Sequence, residues 1–250
     1  MNAGGDIQLD VLAFGAHPDD VELSCAGTLI RLGEMGYKTG IIALTKGELG
    51  TRGSAELRQQ EFEEAGRIMG VHVLERLDIP DGNVAVTPEN KLKVIREIRK
   101  HRPGIVLAPY WIVRHPDHGY TSDLVREAAF FAGLKNIETG QEVFRPHKVI
   151  YYASRFEFNP SFIVDISDVH EKKLAAVLAY GSQFHHPQKN RYGDEETNIS
   201  QPVFMEAIIA RAKQYGAYIG TEYGEPFLVR EPMRLDDPVA FFGPEYLKAI

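Results

Sequence analysis

The stretch that decides the fold is Asp10-Val-Leu-Ala-Phe-Gly-Ala-His-Pro-Asp-Asp20. Its first half is a short apolar run of the kind that forms a buried strand, and residues 21–36 continue with apolar side chains at helical spacing. Four residues, His17 to Asp20, of which three are polar, separate the predicted strand from the predicted helix. The stretch therefore predicts a strand, a tight polar turn and a helix, which is the first unit of an alternating α/β chain.

The same alternation continues along the chain. Further strands are predicted at residues 38–45, 71–79, 105–108, 149–153 and 161–166, and further helices at about 54–70, 88–101, 121–133, 169–180 and 203–214. Strands that alternate with helices imply right-handed crossovers between parallel strands. We therefore expect an α/β fold: a Rossmann-like, doubly wound, mostly parallel sheet with helices on both faces and a C-terminal extension.

The domain organisation follows from length and composition. With 250 residues, of which 44% are hydrophobic and 25% charged, the chain has the composition of an ordinary globular protein. No shift in composition marks a boundary between domains. We expect one domain over residues 1–250, with a motif-rich core at about 8–185 and a C-terminal loop and extension at about 186–250.

Charge, hydropathy and cysteine usage exclude several classes of partner. The net charge of -7 argues against nucleic acid, because affinity for nucleic acid depends largely on neutralising phosphates with Lys and Arg. The longest nearly apolar run, residues 104–113, is too short to span a membrane, so no membrane partner is expected. The chain has one cysteine and no charged leader before an apolar stretch, which favours the cytoplasm.

Two histidine motifs point to a metal site. His17-Pro-Asp-Asp20 follows the first predicted strand, and His115-Pro-Asp-His118 follows the strand at residues 105–108. Ligands of such sheets bind beyond the carboxyl ends of the strands, where both motifs are expected. A catalytic zinc site has three N or O ligands and one open position, and His17, Asp20 and His118 supply that set. The same ligands also accept Fe²⁺, Co²⁺ or Mn²⁺.

The remaining residues of the two motifs suggest catalytic roles. Asp19 lies next to the metal ligands and is positioned to take a proton from an attacking water. His115 is expected to face the substrate as a general acid or oxyanion stabiliser, with Asp117 orienting its imidazole. Each motif alone has a structural alternative, since Asp residues cap helix N-termini and His-x-x-His is common on surfaces.

The motifs resemble those of one family. Ala13-Phe-Gly-Ala-His-Pro-Asp-Asp-Val-Glu-Leu23 and Arg114-His-Pro-Asp-His-Gly119 resemble the LmbE-like (PIG-L) zinc-dependent N-deacetylases, especially the bacillithiol-pathway enzymes that deacetylate N-acetylglucosaminyl-malate. The resemblance implies zinc ligation, an Asp general base and a catalytic His at the positions already named. It further implies that Arg52, in the loop after the second strand, contacts the sugar or an acidic aglycone, and that the protein is a homo-oligomer, commonly a hexamer in the family.

One position departs from the family pattern. Several relatives have an active-site tyrosine just before the helix that here contains Ile209-Ala-Arg211, and the corresponding residue is Phe204. A phenyl ring donates no hydrogen bond to an oxyanion. Tyr192, in the long polar loop at residues 187–200, is the candidate to replace it at the substrate.

The predicted function is zinc-dependent hydrolysis of the acetamide of an N-acetyl amino-sugar, with N-acetylglucosaminyl-malate as the expected substrate and acetate and a free amine as products. Two alternatives remain open. One is an amidase that acts on thiol conjugates or on another N-acyl amino-sugar. The other is a protein that keeps the fold but only binds a sugar or nucleotide.

Overall fold

The computed structural model describes residues 7–185 and 195–243. The strands are Val11–Gly15 (β1), Thr39–Ala43 (β2), Val73–Arg76 (β3), Ile105–Pro109 (β4), Lys148–Tyr152 (β5), Phe162–Asp165 (β6) and Gly224–Val229 (β7). The α-helices are Asp20–Glu34 (α1), Ala55–Met69 (α2), Pro88–His101 (α3), Pro116–Phe131 (α4), His170–Leu178 (α5), Pro202–Tyr218 (α6) and Pro238–Phe241 (α7).

The described strands form one sheet in the order β3-β2-β1-β4-β5-β7-β6. The five from β3 to β5 are mutually parallel, whereas β7 runs antiparallel to both of its neighbours. Alternate residues of β1 enter different cores: Val11 and Ala13 pack with α1, α2 and α5, and Leu12 and Phe14 pack with α3 and α4. The predicted α/β architecture with helices on both faces is thereby confirmed.

Two differences from the sequence-based expectation bear on the site. Helix α4 begins at Pro116 rather than at residue 121, because Pro116 occupies its first turn and His115 is its N-cap. Strand β7 was not predicted, because it contains Gly224 and Pro226, which are depleted in strands. Both differences matter for the site, since the first puts His118 inside a helix and the second supplies support for α1.

Helix α1 is interrupted at Cys25, where φ is -142° and ψ is 20°. The amide groups of Gly27 and Thr28, which start the second half of the helix, donate to the carboxylate of Glu225 at 3.0 and 2.7 Å. Strand β7 therefore caps the second half of α1 from within the sheet. In the described ranges no helix is both long and apolar enough to cross a membrane.

Candidate active site

The turn between β1 and α1 presents the first histidine motif. The amide of His17 donates to Oδ2 of Asp20 at 2.8 Å, which folds the turn back on itself. Asp19, the N-cap of α1, has φ 110° and ψ -24°, a backbone conformation that non-glycine residues rarely adopt. Such strain persists where surrounding structure enforces it, and it is concentrated at functional sites. The turn holds the three polar side chains of the motif at the carboxyl end of β1.

The structure brings His17, Asp20 and His118 together, and we call these three residues the candidate metal triad. Nδ1 of His17 lies 3.3 Å from Nε2 of His118 and 3.5 Å from Oδ2 of Asp20. Nε2 of His118 lies 3.0 Å from Oδ1 of Asp20. Ligand atoms about 2.0–2.1 Å from a tetrahedral zinc ion lie about 3.3–3.4 Å from one another. The donor types and the spacing of the triad therefore fit a metal ion with one open position.

Two carboxylates hold His17 on the side away from the triad. Its Nε2 lies 3.0 Å from Oδ1 of Asp81 and 3.4 Å from Oδ2 of Asp117. Asp81 in turn accepts a hydrogen bond from the amide of Leu49 at 2.9 Å, and Asp117 accepts one from the amide of Gly82 at 2.8 Å. Carboxylates in this position keep the proton on Nε2 and leave the lone pair of Nδ1 free for a metal.

The carboxylates also shift the pKa values of the triad. Burial lowers the pKa of His17, but hydrogen bonds to Asp117, Asp20 and Asp81 outweigh it and raise the pKa well above its ordinary value. Burial raises the pKa of Asp20, but the charge and hydrogen bond of His118 hold it well below its ordinary value. Without a metal the site therefore stabilises positive charge, as a cation-binding site requires.

Asp19 lies beside the triad without belonging to it. The residue is 8% exposed, and its Oδ2 lies 3.5 Å from Nη1 of the buried Arg58. Burial raises the pKa of Asp19 to about 7, although the charge of Arg58 opposes the shift. A carboxyl group with a pKa near neutrality can both accept and return a proton at physiological pH.

His115 lies across the site from His17, with the two ring centroids 4.9 Å apart and nearly perpendicular. Its Nδ1 accepts a hydrogen bond from the backbone amide of Asp117 at 3.3 Å, which leaves the proton of the neutral ring on Nε2. Desolvation lowers the pKa of His115, and the charges of His17 and His118 lower it further. The side chain of Asp117 contacts His17, so the expected orientation of His115 by Asp117 comes from the backbone amide instead.

Of the residues predicted to contact the substrate, Arg52 is described by the structure and Tyr192 is not. Arg52 donates from Nε to the carbonyl of Ser182 at 2.8 Å and from Nη1 to the carbonyl of Glu195 at 3.4 Å. These bonds use two of its five N–H donors. Phe204 stacks on Phe184, with ring centroids 5.8 Å apart, and offers no hydroxyl. Tyr192 lies outside the described residues.

Sequence reasoning missed two residues that contact the motifs. No role was predicted for Asp81, and its position after β3, at the same edge of the sheet, was the available signal. Arg58 is buried and donates from Nη1 to the carbonyl of Pro18 at 3.3 Å, beside its ion pair with Asp19. Its place in an amphipathic helix gave no such signal.

The chain is similar to known proteins in both sequence and fold. The family described as "PIG-L: GlcNAc-PI de-N-acetylase" matches residues 12–129. A diacetylchitobiose deacetylase of Thermococcus kodakarensis is 36% identical over 186 residues, 70% of each chain. A probable N-acetyl-alpha-D-glucosaminyl L-malate deacetylase 2 of Bacillus anthracis is 29% identical over 194 residues, 70% of this chain and 81% of the relative. The solved structure of the conserved protein TT1542 from Thermus thermophilus has a TM-score of 0.83 and 40% identity, covering 92% of this chain and 98% of the other.

Proposed function

Because the chain belongs to the PIG-L family of de-N-acetylases, we propose that it hydrolyses the acetamide of an N-acetylglucosamine-containing small molecule and releases acetate and a free amine. The observation that carries the proposal is the candidate metal triad with Asp19 beside it. Three ligand atoms spaced for one metal ion, next to a carboxyl group outside the triad, are the parts that metal-assisted amide hydrolysis requires.

His17, Asp20 and His118 would hold the metal ion, for which we propose zinc. When bound, such an ion polarises the carbonyl to be attacked and lowers the pKa of a nearby water. Asp19 takes the proton of the attacking water on a carboxylate oxygen. Arg58 keeps this carboxylate charged enough to act as a base, because its guanidinium lies 3.5 Å away and opposes the effect of burial.

His115 acts on the other side of the acetamide. The backbone amide of Asp117 keeps the proton on Nε2 of His115, so this atom donates a hydrogen bond to the acetamide oxygen as its negative charge develops. His115 or the protonated Asp19 then delivers a proton to the departing amine. Asp117 is a positioning residue in this scheme, because its carboxylate contacts His17 and its amide contacts His115.

The preferred substrate within this class is N-acetylglucosaminyl-malate. The similarity to the probable malate deacetylase of Bacillus anthracis supports it, and so does Arg52, whose remaining N–H donors can bind a carboxylate in bidentate fashion. The diacetylchitobiose deacetylase has a higher identity to this chain, so diacetylchitobiose, in which a second sugar takes the place of malate, is the competing substrate. We propose Arg52 and Tyr192 as the residues that contact the group attached to the amino-sugar.

The catalytic assignment is tested by two substitutions with opposite signatures. Asp19→Asn keeps a residue that tolerates positive φ, so the turn and the bound metal should be retained while turnover falls about 10²–10⁴-fold. His17→Ala should lose the metal. Metal content by elemental analysis and acetate release are measured on both. Full activity of Asp19→Asn would refute the assignment of the base.

The substrate is tested with a panel of amides on the metal-loaded protein. We expect acetate release from N-acetylglucosaminyl-malate to exceed that from diacetylchitobiose, and Arg52→Gln to raise KM for the malate compound only. Preference for a thiol-conjugate amide would instead support the amidase alternative. Tight sugar binding without turnover of any amide would support a binding protein.

Exposed apolar side chains point to association between copies of the chain. Five large apolar side chains are exposed near the end of the described chain: Met233, Leu235, Val239, Phe241 and Phe242. Exposed apolar clusters favour association, and we propose a homo-oligomer, with a hexamer as the expected state, formed from chains that each fold as a single domain. Analytical ultracentrifugation of the purified protein tests the assembly.

The single cysteine favours a reducing compartment such as the cytoplasm.

A further inference from the structure

A second group of metal-ligating side chains lies outside the active site. It consists of Glu75 on β3, the strand at one edge of the sheet, and of Glu97 and His101 on the last turns of α3. We call these three residues the edge cluster. One potential ligand atom from each residue lies within 4.8 Å of the other two. The proposed reaction uses none of them.

The imidazole of His101 is the buried member of the edge cluster, with a side chain only 3% exposed. Its Nδ1 lies 3.2 Å from the backbone carbonyl of Ile7, and a carbonyl accepts only from a protonated nitrogen. In the neutral ring the lone pair is then on Nε2, which points at Glu75 and Glu97 and has no hydrogen-bond partner in the described chain. Burial lowers the pKa of His101, but the carboxylates of Glu75 and Glu97 raise it to about 9. Either a proton on Nε2 or a metal cation among the three side chains therefore compensates the two carboxylates.

The spacing of the edge cluster suits a metal ion. Nε2 of His101 lies 3.4 Å from Oε1 of Glu75 and 3.6 Å from Oε2 of Glu97. Direct N–H···O hydrogen bonds are shorter, at about 2.7–3.2 Å. The edges of a tetrahedral zinc site are about 3.3–3.4 Å, and the candidate metal triad has distances of 3.0, 3.3 and 3.5 Å.

Lys100 accounts for the charge of the edge cluster without a metal. Its Nζ lies 2.7 Å from Oε1 of Glu75 and 3.6 Å from Oε2 of Glu97. The side chain of Lys100 is 33% exposed, so the ammonium group can swing into solvent when another cation enters. The ammonium group of Lys100 therefore competes with a metal ion for the same two carboxylates.

We propose that Glu75, Glu97 and His101 form a second, structural site for a divalent transition-metal ion such as Zn²⁺. The hydrogen bond from Nδ1 of His101 to the carbonyl of Ile7 is the support that metal-ligating histidines commonly have on their other nitrogen. The amide of Leu9 donates to the carbonyl of His101 at 2.9 Å. A metal at this site ties the end of α3 to the edge strand and to the segment that leads into β1.

The test separates the two sites by removing the active-site metal first. In a His17→Ala background stripped with chelator, Zn²⁺ should still bind with one molar equivalent and raise Tm. Adding Glu97→Gln should abolish both effects, because Glu97 is partly exposed and its loss leaves α3 intact. Adding Lys100→Gln should tighten Zn²⁺ binding, since the competing ammonium group is removed.

Glu127→Gln is the matched control. Glu127 pairs with Lys91 at 3.2 Å and lies outside the edge cluster. In the His17→Ala background this substitution should therefore leave the binding of one equivalent of Zn²⁺ unchanged. If His17→Ala binds no Zn²⁺ and shows no shift in Tm, the edge cluster is an ion-pair network of Lys100 and protonated His101, and the proposal is wrong. An equal loss of binding in Glu127→Gln would also overturn it.

Discussion

Two carboxylates hold His17 on the side opposite to the triad. They determine which ring nitrogen of His17 carries the proton. Asp81 and Asp117 both approach Nε2 of His17, and each is itself fixed by a backbone amide. A proton on Nε2 leaves Nδ1 as the ligand atom. At the scale of the residue, metal binding therefore depends on side chains that do not touch the metal.

Asp81→Asn tests this dependence. The amide keeps the shape of the carboxylate, but its NH₂ group donates to Nε2 and favours the proton on Nδ1, where it blocks the metal. We expect metal affinity at the active site to fall about 10–100-fold with the fold unchanged. Competition with a coloured chelator measures the affinity. Asp78→Asn, which changes an exposed carboxylate paired with Lys93, should leave the affinity unaltered.

The raised pKa of His17 predicts a pH dependence of metal binding. The carboxylate partners of His17 outweigh its burial and raise its pKa well above the ordinary value, which favours the protonated ring in the metal-free protein. A metal must displace this proton, so affinity should increase as pH rises, by up to about tenfold per pH unit, until pH passes the raised pKa. Calorimetric titration in buffers of different ionisation enthalpy counts the released protons. Affinity that stays constant from about pH 6 to about pH 8 would contradict the assignment.

At the scale of the element, helix α1 is built in two halves joined at Cys25. Glu225 accepts from the amides of Gly27 and Thr28, from Oγ1 of Thr28 at 2.6 Å and from Nζ of Lys173 at 2.7 Å. Both members of the Lys173–Glu225 ion pair have side chains no more than 3% exposed. The first half of α1 carries Asp20, so this buried pair supports the helix that presents a triad residue.

Glu225→Ala should destabilise the protein by about 3–5 kcal/mol, because it leaves the buried charge of Lys173 and the two helical amides without a partner. The free energy of unfolding is measured by urea titration. The double variant Lys173→Met/Glu225→Gln removes both charges while keeping an acceptor for the amides, and it should recover most of the loss. A cost below about 1 kcal/mol for the single variant would show that Lys173 reaches solvent.

At the scale of the whole molecule, a strand from near the end of the chain completes the sheet. Strand β7 lies between β5 and β6 and pairs with both. The Cβ of a residue larger than glycine at position 216 would come within 2.6 Å of the backbone amide of Tyr223, so α6 packs directly on the start of β7. Residues 231–242 beyond this strand are exposed throughout.

Two truncations test the division between β7 and the exposed segment. A chain that ends at residue 230 keeps β7 and should unfold cooperatively with nearly the Tm of the full chain. A chain that ends at residue 219 loses β7, which leaves one edge of β5 open, detaches β6 from the sheet and removes the partner of Lys173, so it should lack cooperative unfolding. Circular dichroism during heating measures both. Equal stability of the two truncated chains would mean that β7 is dispensable.

The sequence alone predicted those features that depend on residues close to one another in the chain. The apolar run before His17, the helical spacing after Asp20 and the repeated alternation predicted the α/β sheet, and the rule that sites lie at the carboxyl ends of strands predicted that His17 and His118 would meet. Helix α4 began earlier than predicted because a histidine N-cap followed by proline is a weaker signal than Thr121 before an apolar run.

Only the tertiary structure decided how distant residues complete these local units. Asp81 reaches His17 across 64 positions, and Glu225 reaches Thr28 across 197. Residue patterns reveal which face of a strand or helix is apolar, because burial repeats with the period of the element. They do not reveal which polar side chains meet, because such contacts depend on strand order and on how the helices pack. The sequence thus determined the residues of the candidate metal triad, and the fold decided which carboxylates hold it and which strand supports its helix.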